Sequence, residues 1–120
     1  MDSREVRRAK KAAVFLKEIS QLFYQAAQDN PDLKDIYPSR VKFSPDMGMC
    51  VIYFYSPHGR AYFEQKKPTL ILFKPSLRTA VAGQIPMRRV PDFVFHYDDE
   101  YEKQQKVDDL ISKLKAEGKF

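Results

Sequence analysis

The spacing of apolar side chains predicts a long amphipathic helix at the start of the chain and a shorter one at its end. Residues 4–29 contain no proline or glycine, and apolar positions recur there every three or four residues, which is the helical period. The same spacing returns over residues 100–117, where the apolar stripe consists of Val107, Leu110, Ile111 and Leu114. Asp99 and Glu102 have the spacing of a capping box, and Gly118 can end this helix.

Three short segments have the composition of β-strands. Apolar and basic side chains alternate over residues 39–44, as in a strand with one buried face. Residues 49–55 are almost all apolar or aromatic, which favours a central strand, and a turn at residues 45–48 makes the two strands a hairpin. The third strand is predicted over residues 91–97, with one face formed by Phe93, Phe95 and Tyr97.

A second helix with a kink is predicted between the second and third strands. Apolar residues have helical spacing from about residue 60 to residue 84, but Pro68 and Pro75 lie within this segment. Because proline lacks an N–H and clashes with the preceding turn, an unbroken helix is not expected. The simplest arrangement is a helix, a kink near Lys74, and a second helix.

The order of these elements predicts a single α+β domain over residues 1–120. A chain of this length has room for one domain, and a three-stranded sheet with helices on one face accounts for the elements. The type II KH arrangement has a broken helix between its second and third strands. The fold predicted here is therefore a type II KH-like domain of helix, strand, strand, kinked helix and strand, with an added C-terminal helix.

The charge of the chain favours a polyanionic partner. Lys and Arg number 21 against 16 Asp and Glu, which gives a formal net charge of +5. Residues 1–97 carry 16 cations and 9 anions, whereas residues 98–120 carry 5 cations and 7 anions. A basic body with an acidic end favours a polyanionic partner, of which nucleic acid is the most frequent, although many small basic proteins bind none.

Several classes of protein do not fit the composition. No apolar stretch approaches the roughly 20 residues of a membrane-spanning helix, and the charged N-terminal segment does not resemble a signal peptide. The single Cys50 excludes an internal disulfide, and with only two histidines a Cys/His metal cage is not expected. These features predict a cytoplasmic protein without membrane attachment.

No arrangement of side chains predicts catalysis. Negative charge is favoured at a helix start, so the acidic run at residues 98–100 is interpreted as capping. His58 and His96 have no predicted catalytic partner, and the four glycines form no nucleotide-binding pattern. Aromatic side chains on the open sheet face are expected to pack against each other: Tyr53, Tyr55 and His96. We therefore predict a protein that is not an enzyme and uses no cofactor.

Four motifs follow one another in the second half of the chain. A Leu-Arg pair at residues 77–78 precedes a basic segment and Pro-Asp-Phe at residues 91–93, and the aromatic strand ends in Tyr-Asp-Asp at residues 97–99. Asp-Asp-Leu-Ile follows at residues 108–111. In order and spacing these motifs resemble the bacterial ribosome-binding factor A family. The first half is similar but weaker, chiefly in residues 30–33 and 44–47.

This resemblance implies a non-catalytic ribosome assembly factor. The implied function is to bind the free small ribosomal subunit and its rRNA, and to support late maturation and processing of the small-subunit rRNA. The implied protein is a monomer, and an assembly GTPase is a further implied partner. The family has an Ala-X-Gly kink where this chain has Phe73, Lys74 and Pro75. Proline cannot donate to a phosphate, so the Lys74 ammonium is expected to replace that contact.

The expected RNA-binding surface consists of basic side chains on the kinked helix, on the segment that leaves it, and on one flank of the first helix. These residues are Lys74, Arg78, Arg88, Arg89, Lys66, Lys67, Arg7, Arg8 and Lys11. A solvated cationic rim is the simpler interpretation of the same charges. The alternative function is a protein-interaction module that uses the aromatic sheet and the acidic C-terminal helix.

Overall fold

A computed structural model describes residues 2–118 of the chain. Within these residues it contains three α-helices and three strands in the predicted order. They are α1 (Ser3–Asp29), β1 (Tyr37–Phe43), β2 (Met49–Tyr55), α2 (Arg60–Gln84), β3 (Asp92–Tyr97) and α3 (Asp99–Ala116), with a 3-10 turn at Pro31–Leu33 after α1. The predicted α+β class is confirmed. The ends of the predicted domain, Met1, Lys119 and Phe120, lie outside the described residues.

The sheet has the order β1-β2-β3. β1 and β2 form the predicted antiparallel hairpin, whereas β2 and β3 pair in parallel, with Ile52 opposite Phe95. A parallel pair needs a crossover connection, and α2 provides it. β1 begins two residues earlier than predicted, and its register is irregular around Ser39. There the Ser39 hydroxyl donates to the Asp98 carboxylate at 2.8 Å.

One face of the sheet is buried beneath α1 and α2. The helices supply residues at spacings of four and seven, and the strands supply alternate residues, so that each element presents one apolar face to the core. Burial of each large side chain contributes roughly 1.5–3 kcal/mol. The buried core includes Phe15, Ile19, Phe23, Cys50, Ile52, Phe54, Phe63, Leu70, Leu77, Val81, Phe93, Phe95 and Tyr97.

The break predicted in α2 is not observed, because the helix is continuous from Arg60 to Gln84 with both prolines inside it. Pro68 and Pro75 are seven residues apart, which places them on the same side of the helix, and both are exposed. Each proline removes one backbone hydrogen bond, on the side where water can reach the freed carbonyl. The opposite side remains intact and buries Leu70 and Leu77.

α3 is fixed to the body by its first turn. The Asp98 side chain is buried and accepts hydrogen bonds from the Tyr101 backbone N–H (3.1 Å) and from Arg40 Nε (2.9 Å). Asp98, and not the predicted Asp99, is therefore the N-cap. The predicted partner of Asp99, Glu102, instead accepts a hydrogen bond from the Tyr97 hydroxyl at 2.8 Å.

The apolar stripe of α3 is exposed. Val107, Leu110 and Ile111 are 49%, 56% and 36% exposed, and α3 contributes no buried residue to the core. The first turn contacts the body through Tyr101, whose ring lies 4.9 Å from that of Tyr55. At about 100° per residue the three stripe residues lie about 80–180° around the helix from Tyr101.

None of the helices in the described part of the chain is long and apolar enough to cross a membrane.

The charge on Asp98 gives the stability of the fold a predictable pH dependence. Burial alone raises the pKa of Asp98, but hydrogen bonds from Ser39, the Tyr101 N–H and Arg40 outweigh it and lower the pKa below the ordinary 3.8. A lowered pKa stabilises the folded state above the unfolded-state pKa, and this stabilisation is lost as the pH falls through the folded-state pKa. Asp98→Asn is expected to lower the free energy of unfolding by about 2 kcal/mol at pH 7.

Urea unfolding followed by circular dichroism at pH 7, 5, 4 and 3 measures this effect. The wild-type chain is expected to lose stability more steeply than Asp98→Asn between pH 5 and pH 3. The matched control is Asp108→Asn, because Asp108 is exposed on the same helix. If Asp98→Asn and Asp108→Asn lower the free energy of unfolding equally at pH 7, Asp98 does not anchor α3.

Candidate nucleic-acid interface

A groove of about 820 Å³ lies at the end of the sheet where β1 ends and β3 begins. Its walls come from the N-terminal half of α1, from the turn between β1 and β2, and from the segment that joins α2 to β3. We call it the α1 groove. It is lined by Lys10, Lys11, Val14, Phe15, Phe43, Asp46, Met47, Ile85, Pro86, Met87, Arg88, Arg89 and Pro91.

Both long helices are longer than the strands they pack against, and the groove lies between the N-terminal half of α1 and the segment that follows α2. The 25 residues of α2 span about 37 Å, whereas the 7 residues of β2 span about 23 Å. The chain must return from the end of α2 to the start of β3, and residues 85–91 make that return. In α1 the fully buried residues begin at Phe15, and Lys10, Lys11 and Val14 before it line the groove together with the returning segment.

Four cations on the rim of the groove have no ion-pair partner among residues 2–118. Lys10 and Lys11 come from α1, and Arg88 and Arg89 come from residues 85–91. Other cations do form ion pairs, at N–O distances of 4 Å or less: Arg40, Arg60, Lys66, Arg78 and Lys106. With Asp46 the groove lining has four cations and one anion, and therefore an excess of positive charge.

Asp46 is the one acid among the groove-lining residues described. Its carboxylate accepts hydrogen bonds within the turn between β1 and β2. The Ser44 hydroxyl (2.7 Å) and the Gly48 N–H (3.0 Å) donate to its carboxylate. These hydrogen bonds, with a smaller effect of Arg89, lower the pKa of Asp46. Arg89 lies across the turn, where a Cβ on Gly48 would approach its Nη2 to 3.1 Å. The glycine therefore leaves room for the Arg89 guanidinium.

A second group of cations lies on one side of α2, and we call it the α2 row: Lys67, Lys74 and Arg78. Their spacing places them within about 40° of one another around the helix. The Lys74 Nζ is 5.3 Å from the centre of the Phe95 ring on β3. Lys67 lines a shallower cleft of about 450 Å³ together with His96. The α2 row thus runs beside β3, which is an edge strand of the sheet.

Arg78 connects the α2 row to the α1 groove. Its Nη2 donates to the Val90 carbonyl at 3.2 Å, and its Nη1 is 3.6 Å from the Asp92 carboxylate. Its Nε is buried and has no hydrogen-bond partner within the described residues. Because Val90 follows directly after Arg89, Arg78 holds in place the segment that carries two of the rim cations. Its first role is to position this segment.

Not all of the predicted residues lie at these two places. The Lys66 Nζ is 3.4 Å from Asp32 and faces the turn after α1, away from the α2 row. Arg7 and Arg8 precede the groove by one helical turn and do not line it. The structure brings together Lys11, Arg88 and Arg89 in the groove, and Lys67, Lys74 and Arg78 in the row.

The sequence interpretation missed Lys10. It selected cations beside the buried stripe of α1, whereas the groove lies further around the helix. Val14 could have shown this, because it is an apolar residue one turn after Lys10 that remains 56% exposed. An apolar side chain outside the buried stripe indicates a second face of the helix that has a role.

The aromatic residues of the open sheet face only partly follow the prediction. Tyr53 lies 6.1 Å from His96, as expected, and the Arg40 guanidinium covers the Tyr53 ring at 3.9 Å. Tyr55 does not join this pair, since its ring contacts Tyr101 of α3. The covered rings leave little free surface for stacking bases.

His58 has a partner that the sequence did not indicate. Its Nε2 lies 3.0 Å from the Asp35 carboxylate, and this hydrogen bond lowers the pKa of Asp35. The Tyr37 hydroxyl also donates to Asp35, and the Tyr62 ring lies 4.8 Å from the His58 ring. These contacts join the chain after the 3-10 turn to the start of α2, which is a structural role.

Within residues 2–118 no three His, Cys, Asp or Glu side chains are grouped in a way that could hold a metal ion.

Comparison with known proteins points to one family. The sequence profile of a family described as ribosome-binding factor A matches residues 7–111. The chain is 28% identical over 118 residues to ribosome-binding factor A of Chromohalobacter salexigens, covering 97% of this chain and 90% of that protein. It is 33% identical over 109 residues to ribosome-binding factor A of Prochlorococcus marinus, covering 89% and 82% of the two chains.

The fold is also similar to that of a solved structure. The crystal structure of ribosome-binding factor A from Thermus thermophilus superposes with a TM-score of 0.64 at 20% identity, covering 75% of this chain and 93% of the other. That structure has a KH-like fold. The KH-like fold predicted from the order of elements is confirmed.

The contacts of Arg78 predict that it contributes to stability as well as to charge. Arg78→Gln removes the ion pair with Asp92 and weakens the hold on the Val90 carbonyl, so the free energy of unfolding is expected to fall by about 1–2 kcal/mol. Arg88→Gln removes the same charge from the rim and is expected to change it by less than about 0.5 kcal/mol. Urea unfolding of the two variants measures the difference. Equal stability of the two would mean that Arg78 does not position residues 85–91.

Proposed function

Because the chain belongs to the ribosome-binding factor A family, we propose that it binds the free small ribosomal subunit through its rRNA. In this proposal it supports late maturation and processing of the small-subunit rRNA and does not catalyse a reaction. The family itself implies ribosome binding. The small subunit, its rRNA, the monomeric state and an assembly GTPase that triggers release are the more specific parts of the proposal.

The observation that carries the proposal is the convergence of cations that are unpaired within the described chain. Lys10 and Lys11 are separated from Arg88 and Arg89 by more than 75 positions in the sequence, yet the four line one groove. Cations that lack a protein partner are available to phosphates, and neutralising phosphates releases bound counterions from the RNA. Four such contacts on single-stranded RNA would give a salt slope of about −3, at roughly −0.7 per contact.

The mechanism requires only a difference in affinity between two states of the RNA. The groove and the α2 row hold phosphates in one local arrangement, which is present in the unfinished subunit. When that region matures, its phosphates move out of register with the rim and the affinity falls. A ligand shifts an equilibrium only by as much as its affinities for the two states differ.

One observation favours the alternative function, a protein-interaction module. The stripe of α3 leaves Val107, Leu110 and Ile111 exposed on the side turned away from the body. The sheet contributes less than predicted, because Arg40 covers Tyr53 and Tyr101 contacts Tyr55. If this alternative holds, Leu110→Ser with Ile111→Ser abolishes comigration with ribosomal particles, while loss of rim cations does not.

A ribosome gradient tests the proposed function. The tagged wild-type chain is expected to comigrate with free small subunits and not with joined ribosomes, and to be released by moderate salt. Replacing Arg88 and Arg89 by Gln is expected to move most of the protein to the top of the gradient. The matched control replaces Lys113 and Lys115 by Gln, which removes the same charge from α3 and leaves comigration intact.

Two results would contradict the proposal. Wild-type protein that stays at the top of the gradient at every salt concentration does not bind small subunits. If the groove variant and the α3 variant lose comigration with small subunits to the same extent, binding depends on net charge and not on the α1 groove.

A further inference from the structure

We propose that the α1 groove holds an unstacked base of single-stranded RNA on its apolar floor, while the rim cations hold the adjacent phosphates. This inference rests on the proposed function and adds to it the class of RNA that is bound. The site differs from the α2 row, which lies beside β3 and has no such floor among its described contacts.

The floor of the groove is apolar and accessible. Val14 is 56% exposed, and Met47, Ile85 and Met87 are half-buried, while Pro86 is exposed. Met47, Ile85 and Met87 pack against the buried core, and all five residues line the groove together with the rim cations. The volume of about 820 Å³ falls in the range of clefts that hold small ligands, roughly 300–1,000 Å³. An accessible apolar surface beside four cations matches a ligand with a flat apolar ring and an anionic chain.

A nucleotide with an exposed base has this chemistry, and a duplex does not. In A-form RNA the bases are paired and stacked, so a duplex presents mainly phosphates and sugars to the rim. Loops, bulges and single strands leave bases free to lie against protein side chains. The methionine sulfurs of Met47 and Met87 are polarisable and pack well against aromatic rings.

The charges favour RNA over an acidic peptide. The rim carries two adjacent arginines, whose planar guanidinium groups bind phosphates and also stack on bases. Arg78, which is paired with Asp92, links the groove to Lys74 and Lys67 of the α2 row. A path of cations that extends beyond the groove matches a long polyanion, whereas a peptide in the groove would need only the rim.

Charge-preserving variants separate the floor from the rim. Met47→Asn removes an apolar side chain at a position with φ of +61°, a conformation in which Asn is enriched. Met87→Gln keeps a side chain of similar length. The double variant is expected to bind a 12-nucleotide single-stranded RNA about five- to tenfold more weakly, because contacts with a base are lost, with an unchanged salt slope.

The measurement is fluorescence anisotropy with the full chain over a salt series. Replacing Arg88 and Arg89 by Gln is expected to reduce the magnitude of the salt slope by about 1.4, at roughly 0.7 per phosphate contact. Inorganic polyphosphate of 12 units, which has the charge but no bases, is expected to compete more weakly than unlabelled RNA. In the methionine variant this difference is expected to disappear. Val14→Ser provides a second floor variant at an exposed position.

Failure of this inference is distinguishable from failure of the proposed function. If the methionine variant and Val14→Ser, shown to be folded by circular dichroism, bind RNA as tightly as the wild-type chain, the floor holds no base, although small-subunit binding stands. Equal competition by polyphosphate also overturns the inference. If an acidic amphipathic peptide binds the wild-type groove and displaces the RNA only when Met47 and Met87 are present, the floor is a peptide site.

Discussion

The central constraint on this structure is the parallel pairing of β2 and β3 through a helix longer than either strand. The 25 residues of α2 span about 14 Å more than the 7 residues of β2, and residues 85–91 return the chain to β3 opposite the first turns of α1. The α1 groove is the space between them.

Charged residues in this fold have two distinct roles. Arg78 and Asp98 are engaged with the fold: one holds the returning segment through the Val90 carbonyl, and the other caps and anchors α3. The cations of the groove rim form no ion pair within the described residues and remain available for phosphates. Net charge alone does not reveal this difference, since Arg78 and Arg89 have the same charge. The distinction explains why the two kinds of residue are expected to respond differently to substitution.

Local patterns in the sequence predicted the helices and strands well, because hydrophobic period is a local property. β2 was placed at its observed bounds, and α3 within one residue. A break was expected in α2, but the helix continues because Pro68 and Pro75 lie on its exposed side. Which side of the helix packs on the sheet is not visible in the local pattern. Likewise, Met47 and Met87 come from distant segments of the chain and line the same groove. A local sequence pattern does not show which distant residues lie close together. The order of elements came from the same local patterns, and neither these patterns nor the family resemblance indicated the position of the groove.

Contact between the α1 groove and rRNA is the claim on which the proposed function depends, and site-specific photocrosslinking tests it most directly. A benzophenone amino acid in place of Pro86, an exposed residue of the groove, would be irradiated with the chain bound to free small subunits. Crosslinks from position 86 to small-subunit rRNA are expected, and none from the same group in place of Lys113 on α3. Crosslinks from position 86 to protein alone, or to rRNA only from position 113, would contradict the claim.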